Sequence, residues 1–481
     1  MMKLSKSLLL GSAAALVATA GAQAADLPYR KAAPVEYVRV CDWTGAGYFY
    51  IPGTDTCLKI GGFVRAEYEY NSVGKAFIAG NTGLVRGVPS GQYLTGRNHD
   101  ASGFFVRGRL TTDARTQTAY GVLRTYIQAQ FDRTSGAELT NSGGSPAVPG
   151  GPQGSSSTAY IDKAFVQFAG ITAGRVQSFY DFGADPYGFD GVATTDNSTQ
   201  AFAYTATFGG GFSATVSVED PNARRYGINN TLGTLGTPVN YSGDKIPDIV
   251  GVLRIDQAWG AAQLSGAYHQ LATAANTAPG TSIYGRDADG FGVHGAVQFK
   301  LPMLAAGDEF NLEGGYETGA TAYVNSNTFS GNYGSPIVVG GLFRPSVDAI
   351  AIAAPGAPGA FTLAKARSYS VSGGFVHFLT PNFNNIIFGS YEHSGYGAAK
   401  NIAWYNGGVG DANEYRIADQ VNWFPVKDLQ IGIEFMYIKV NQKVPGTVNS
   451  PIAGSPVVAL PAGIVKDPDS FEGRLRIERD F

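Results

Sequence analysis

Stretches in which apolar and polar side chains alternate recur along the whole chain. Successive side chains of a β-strand point to opposite faces, so this alternation predicts strands with one apolar and one polar face. About sixteen such stretches have the length that a tilted membrane-spanning strand needs. The first is LKIGGFVRAEYEYN from Leu58, and the last is FEGRLRIERDF, residues 471–481. Such strands form either an amphipathic sheet on a core or a wall between lipid and water.

The links between these stretches are alternately short and long. The even-numbered stretches are followed by QTAY, AG, GG, AW, LPMLAAGD, TPN and PVK. The odd-numbered ones are followed by long links rich in Gly, Pro, Asn and Ser, the longest from Ala320 to Ala366. We therefore predict an all-β fold: a transmembrane antiparallel β-barrel of about sixteen strands, with short periplasmic turns and long external loops. A periplasmic sandwich is the alternative, but it gives no reason for the alternation of link lengths.

Composition favours one large β unit. The 481 residues include 65 Gly, 26 Tyr and 28 Phe, and only 15% are charged. No linker and no shift in composition divides residues 58–481, so we interpret them as one barrel. A bilayer core offers the backbone no water, and only a closed sheet satisfies the hydrogen bonds of every strand there.

The N-terminus has the pattern of an export signal. Lys3 and Lys6 precede an apolar run, and Ala22-Gln23-Ala24 fits a cleavage site, so residues 1–24 are predicted to be a signal peptide. A membrane anchor is the alternative, but the run is short and rich in Ala and Gly. Removal of the two lysines changes the formal net charge from −3 to −5. This charge excludes a strongly basic nucleic-acid-binding surface.

Residues 25–57 form a predicted N-terminal segment that contains both cysteines, Cys41 and Cys57. In an oxidising compartment this pair favours a disulfide, with two free thiols as the alternative. The five histidines are dispersed, and no Cys or His cluster or compact acid–base group is evident. We therefore expect no metal, no cofactor and no enzymatic activity.

A closed sheet of about sixteen strands is too wide for its own side chains to fill, so the strand count predicts an aqueous pore. The link after the fifth stretch, FYDFGADPYGFDGVATTDNST from Phe179, contains acids and no Lys or Arg. These acids are Asp181, Asp185, Asp190 and Asp196. The bases predicted to face them from the barrel wall are Lys59, Arg65, Arg107, Arg109, Arg124 and Arg175, with Arg254, Arg416, Arg474 and Arg476 as further candidates.

If this third long loop folds inward, its acids would face the wall bases across the opening. A transverse field in a narrow aqueous passage would orient polar solutes and filter ions. The alternative is that the aspartates lie in a solvated external loop and shape its turns.

The stretch YVRVCDWTGAGYFYIPGTDTCLKIGGFVR, Tyr37 to Arg65, resembles the N-terminal signature of the porins of Rhizobiales and related alphaproteobacteria. The resemblance implies a homotrimer of sixteen-stranded, water-filled channels in the outer membrane, with the third loop folded into each barrel. It also supports the Cys41–Cys57 bridge. Phe481 after an alternating strand resembles the signal read by the barrel-assembly machinery, although Arg479 departs from the usual apolar residue.

We therefore predict an outer-membrane porin for passive diffusion of ions and small hydrophilic solutes. A solute-selective channel of the same build is an alternative, and a surface adhesin using the loops from Ala320 and Gln442 is another. The expected partners are outer-membrane lipid, two further copies of the chain, the assembly machinery and the solutes, but no nucleic acid.

Overall fold

A computed structural model describes eleven ranges of the chain and eight two-residue strands outside them. The ranges are 39–72, 101–136, 155–183, 187–230, 241–278, 281–283, 285–326, 346–353, 360–397, 410–442 and 469–481. The predicted signal peptide, 1–24, and Asp185 lie outside the described residues.

Sixteen long strands form the main sheet in the described ranges, and we number them in chain order. They are β1 (Thr56–Asn71), β2 (Ser102–Thr118), β3 (Gly121–Gly136), β4 (Ser155–Phe168), β5 (Ile171–Gln177), β6 (Ser198–Gly209), β7 (Phe212–Glu219), β8 (Asp248–Gln257), β9 (Gly260–Ala272), β10 (Asp287–Lys300), β11 (Glu309–Thr318), β12 (Arg367–Thr380), β13 (Phe383–Gly395), β14 (Ala412–Trp423), β15 (Leu429–Gln442) and β16 (Asp469–Asp480).

The sheet is closed and antiparallel throughout. Each strand pairs with its neighbours in sequence, and β1 pairs with both β2 and β16. Closure leaves no strand edge unpaired, as a sheet in lipid requires. The backbones of Gly62 and Phe481 exchange two hydrogen bonds, of 3.0 and 3.2 Å, which continue the β1–β16 ladder to the last residue. The predicted sixteen-stranded barrel is confirmed.

Most of the shorter elements belong to the long links between strands. They are two 3₁₀ helices (Pro221–Arg224 and Thr321–Tyr323), the strand Phe49–Tyr50 beside β1, a sheet of Ile228–Asn230 with Ala349–Ala353 and Phe361–Lys365, and the pairs Asn276–Ala278 with Thr281–Ile283, Phe77–Ile78 with Gln92–Tyr93, Leu84–Val85 with Val88–Pro89, Val338–Val339 with Leu342–Phe343, and Thr447–Val448 with Val458–Ala459. Among the residues that the structure describes, no helix has the length and apolar character to cross a bilayer.

The two faces of the sheet differ as the alternation predicts. On the outside, large apolar side chains are exposed, as at Leu110 (44%), Ile127 (45%) and Phe435 (63%). On the inside, the register brings polar residues into rows, so that Arg65 lies opposite Arg107 on β2 and Glu478 on β16. The barrel therefore presents an apolar wall outward and a polar wall to its interior.

Arg175 corrects one sequence prediction. It lies on β5 opposite Ala164 of β4 and Gln200 of β6, and Ala164 is in register with the outward-facing Ile127. Successive residues of a strand point to opposite faces, and residues paired directly across neighbouring strands point to the same face. Arg175 therefore points outward, like Ala164 and Ile127. The prediction that Arg175 lines the pore is wrong, because its guanidinium group donates to Gln200 on the outer face.

The predicted disulfide is confirmed. Cys41 and Cys57 are bonded, with their Cα atoms 6.0 Å apart, and both are fully buried. The bridge ties the segment before the barrel to the first residues of β1.

Candidate functional site

Three bases of the inner wall on β2 and β3, Arg107, Arg115 and Arg124, are paired with acids of the same two strands. Arg107 donates two hydrogen bonds, of 2.8 and 2.7 Å, to the carboxylate of Asp132. Arg124 lies 2.9 Å from Asp113. Arg115 also lies 2.9 Å from Asp113, so two guanidinium groups share one carboxylate. Sequence reasoning missed these acids, although their period-2 spacing from the predicted bases puts them on the same face.

The remaining predicted wall bases differ in their partners. Arg65 forms an ion pair with Glu478 of β16. Lys59 is exposed on the inner face, with its Nζ 5.9 Å from the centre of the Tyr48 ring. Arg109 has its guanidinium carbon 4.6 Å from the centre of the Phe63 ring. Its Nε is buried without a hydrogen-bond partner among the described residues.

The loop between β5 and β6, residues 178–197, starts along the inner faces of β7 to β9. Glu219 at the end of β7 accepts hydrogen bonds from the hydroxyl of Ser178, at 2.6 Å, and from the amide of Phe179, at 3.1 Å. Ser265 of β9 donates to the Tyr180 carbonyl at 2.8 Å. Arg254 of β8 donates to the Phe182 carbonyl at 3.2 Å. Arg254, a further candidate in the sequence, therefore binds the loop backbone.

Asp181 is held in a buried ion pair rather than facing open space. Its Oδ1 lies 2.6 Å from Arg224, and both side chains are at most 2% exposed. Its Oδ2 accepts from the side chain of Gln177, at 2.7 Å, and from the amide of Asn197, at 2.8 Å. Desolvation lowers the pKa of Arg224, but the negative charge of Asp181 outweighs it, so the pKa is raised. Asp181 therefore joins the two ends of the loop to the 3₁₀ helix at Arg224.

The middle of the loop is bound to strands β15 and β16. The amides of Phe189 and Asp190 donate to the two carboxylate oxygens of Glu434, at 2.6 and 3.0 Å. Arg476 of β16 donates to the Phe189 carbonyl at 3.1 Å, and its guanidinium carbon lies 4.0 Å from the centre of the Phe189 ring. Two polar side chains from adjacent strands thus fix the backbone of Phe189.

Glycines give the loop space to approach the wall. A Cβ on Gly188 would lie 2.1 Å from the Phe388 ring. On the wall, a Cβ at Gly374 would lie 2.3 Å from the Tyr187 ring, and one at Gly432 would lie 2.4 Å from the Phe189 ring. These contacts are closer than carbon atoms approach each other, so a side chain at any of the three positions would displace the aromatic ring that it meets.

An apolar patch on the same wall accompanies the polar contacts. Tyr187 and Val192 of the loop are buried against inward-facing residues of β12 to β15. The wall members of this cluster are Val376, Ile386, Phe388, Ala418, Met436, Ile438 and Val440. An apolar surface on the inside of a water-filled barrel would be unfavourable, and the loop removes it from water.

Asp190 is the loop acid that contacts wall bases. It lies 3.6 Å from Arg474 and 4.0 Å from Arg416, two of the further candidates in the sequence. Burial raises the pKa of Asp190, but the charges of Arg474 and Arg416 outweigh it and hold the pKa below its ordinary value. Arg416 also donates to the carbonyl of Gly191.

The loop returns to β6 along β13 and β11. Ser390 of β13 accepts from the Ala193 amide at 3.0 Å, and Glu313 of β11 accepts from the hydroxyl of Thr194. The amide of Asp196 donates to Ser326 at 2.7 Å. Burial and the nearby Asp181 carboxylate raise the pKa of Asp196 from 3.8 to about 6.

The contacts of the acids agree with the predicted ones only in part. Asp190 pairs with Arg416 and Arg474, two of the further candidates, whereas Asp181 pairs with Arg224. No described acid of the loop forms an ion pair with the bases of β1 to β3. The sequence identified the loop but gave no signal for Arg224, which lies in another long link. Within the described ranges, no three His, Cys, Asp or Glu side chains are grouped as a metal site.

Comparison with known proteins identifies the family. A profile of the family described as "Porin subfamily" matches residues 26–458. The chain is 36% identical over 262 residues to Porin Omp2b of Brucella canis and 38% identical over 264 residues to Porin Omp2b of Brucella suis biovar 1. Each alignment covers 53% of this chain, and the chain spans 63% of the length of each relative.

Solved structures share the fold. The outer membrane channel DcaP of Acinetobacter baumannii superposes with a TM-score of 0.57 at 16% sequence identity, over 90% of this chain and 99% of that one. The chain therefore belongs to the porin family and is a multi-pass protein of the bacterial outer membrane.

Proposed function

We propose that this protein is a channel for the passive diffusion of ions and small hydrophilic solutes across the outer membrane. The observation that carries the proposal is the closed sheet of sixteen strands with a polar inner face. A barrel of about this size leaves an aqueous interior that its own side chains cannot fill. The channel is not an enzyme in this proposal, and it needs no cofactor.

The β5–β6 loop narrows the channel in this proposal. Its contacts with inward-facing Glu434, Arg476 and Ser390 support a path across the interior. The loop covers the inner wall formed by β12 to β16, so the passage lies against the bases of β1 to β3. Of the predicted constriction acids, Asp190 lies in the middle of the loop, where it docks on the wall. Asp181 and Asp196 lie near the two ends of the loop, and both accept hydrogen bonds from Gln177.

Solute uptake by proteoliposomes tests this function. Liposomes containing the purified protein are placed in iso-osmotic solutions of sugars of increasing size, and the swelling rate is recorded. We expect swelling that falls smoothly with sugar mass and does not saturate with concentration. Protein-free liposomes and liposomes with heat-denatured protein are the controls. Liposomes that contain folded protein but do not swell with the smallest sugar would contradict the proposal.

We further propose a homotrimer. Between large apolar residues such as Ile127, the outward faces of β3 to β5 carry small side chains, Thr125, Ala129, Ala164 and Ala173, which would allow close packing of a second copy. Arg133 and Arg175, on the outward faces of β3 and β5, bond only to neutral groups in the described structure. Light scattering of the detergent-purified protein tests this, and a monomeric mass would contradict it.

Two sequence predictions concern export and assembly. We propose that residues 1–24 are removed as a signal peptide, that residues 25–57 precede the barrel, and that residues 58–481 form it. Recognition by the barrel-assembly machinery stays a prediction. A mass spectrum of the protein extracted from outer membranes tests the first proposal, since a retained leader would contradict it.

A further inference from the structure

Residues 39–50 form a hairpin, which we call the mouth hairpin, at the short-turn end of the barrel. β1 begins at this end, because a long link follows its last residue. The strand Phe49–Tyr50 pairs with the first residues of β1. The amide of Cys41 donates to the Tyr48 carbonyl at 3.0 Å, which closes the hairpin. The mouth hairpin is therefore an ordered extension of the barrel wall.

The disulfide joins the mouth hairpin to the inner side of this wall. Cys57 is an even number of positions from Lys59 and Arg65 on β1, so its side chain points into the barrel. It is nevertheless fully buried, as is its partner Cys41. The bond keeps the two Cα atoms 6.0 Å apart across 16 positions of the chain. The start of the hairpin is thus covalently fixed beside an inward-facing side chain.

Tyr48 fixes the other end of the turn to the same surface. Its ring is 6% exposed, although it lies at the open end of the barrel. The guanidinium carbon of Arg115 on β2 lies 4.9 Å from the ring centre, and Nζ of Lys59 lies 5.9 Å from it. Arg115 is paired in register with Cys57, so it also points inward. Cation–π attraction therefore holds Tyr48 against inward side chains of two strands.

The turn between these two attachments is exposed. Asp42, Trp43 and residues 45–47 are exposed, whereas Cys41 and Tyr48 on either side of them are buried. Trp43 is the largest of these exposed side chains, with 37% of its surface exposed. Because both ends of the turn are attached to the inner side of the wall, the exposed residues project from that wall toward the opening.

We propose that the mouth hairpin is a second size-selecting element of the channel, in addition to the β5–β6 loop. Trp43 restricts the opening, while Tyr48 and the Cys41–Cys57 bond are positioning groups that keep the turn in place. This inference rests on the proposed channel function and adds a determinant of solute size to it.

Swelling of liposomes that contain the full-length protein tests the inference. The rate in raffinose is divided by the rate in arabinose, so that the ratio reports solute size and not the amount of protein. We expect Trp43→Ala to raise this ratio, because it removes bulk from the opening and leaves both attachments intact. Tyr120→Ala is the matched control. It removes an aromatic ring that is 80% exposed in the β2–β3 turn at the same end of the barrel, and it should leave the ratio unchanged.

Variants of the attachments give a second readout. Tyr48→Ala and the double variant Cys41→Ser with Cys57→Ser should raise the ratio, because the turn is then free to leave the opening. Tyr48→Phe keeps the aromatic face that meets Arg115 and Lys59, so it should retain the wild-type ratio. Trp43→Ala decides the question if an attachment variant fails to fold.

A wild-type ratio in Trp43→Ala would overturn the inference and leave the channel function standing. Wild-type liposomes that contain folded protein and do not swell even in arabinose would instead overturn the proposed function.

Discussion

The backbone amide of Phe189 lies 2.6 Å from Oε2 of Glu434, although 245 positions separate the two residues in the sequence. The neighbouring amide of Asp190 uses the other oxygen of the same carboxylate, at 3.0 Å. One side chain of β15 thus holds the middle of the β5–β6 loop against the inner wall. If the loop narrows the channel as we propose, the strength of this attachment determines how firmly it does so.

Replacing Glu434 should release the loop. Glu434→Ala removes both hydrogen bonds, which costs about 2 kcal/mol of docking free energy. We expect larger and noisier single-channel conductance in planar bilayers. Gln430→Ala, also on the inner face of β15 and without a contact to the loop in the described structure, is the control. Equal conductance in both variants would show that this contact does not restrict the passage.

Adding a side chain at Gly432, on the wall beneath the loop, should also release the loop. Gly432→Ala places a Cβ 2.4 Å from the Phe189 ring, so the loop must move or the wall must distort. Overpacking of this kind costs about 1–3 kcal/mol. We expect a lower thermal unfolding midpoint and a raised conductance. Gly251→Ala on β8 has no atom within 4 Å of the added carbon and should behave as the wild type. Identical behaviour of the two variants would contradict the docked position.

Replacing Asp181, which pairs with Arg224, should destabilise the loop more than replacing another charged residue of the loop. Asp181→Asn leaves the guanidinium group of Arg224 buried without its counter-charge, and breaking a buried pair in this way costs about 3–5 kcal/mol. We expect faster proteolysis of residues 178–197 in the folded barrel. The double variant Asp181→Asn with Arg224→Leu removes the uncompensated charge and should recover part of the resistance. A double variant as labile as the single one would count against the ion pair as the cause.

Asp196 should make the loop sensitive to pH. Its pKa is raised from 3.8 to about 6 by burial and by Asp181, so the folded protein binds this proton more tightly than the unfolded chain does. The stabilisation is complete below about pH 4 and is lost as the pH rises through about 6. We expect the thermal unfolding midpoint of the wild type to fall over this interval relative to Asp196→Asn. Parallel curves for the two proteins would contradict the raised pKa.

The barrel could be predicted from the sequence because its determinants are local. Period-2 alternation and the lengths of the links require no knowledge of distant contacts, and they gave the strand count and the closure. The face of a residue also follows from alternation, which places Lys59, Arg65, Arg107, Arg109 and Arg124 on the inner wall. Arg175 failed because its short strand offers few positions from which to fix the face.

The docking of the β5–β6 loop could not be predicted from its own sequence. Its aspartates suggested charges facing the wall bases, but its contacts also depend on Arg224 and Glu434, which lie in other parts of the chain and which the sequence did not single out. The room for the loop depends on the absence of side chains at Gly374 and Gly432. The loop and the wall fit each other only after the strands have closed into the barrel.

Single-channel recording of the wild-type protein in a planar bilayer tests the central claim most directly. A barrel with an open, polar interior should produce stepwise insertions whose conductance rises in proportion to salt concentration and persists with large hydrated ions. Folded protein that inserts into the bilayer yet passes no ions would contradict an open channel.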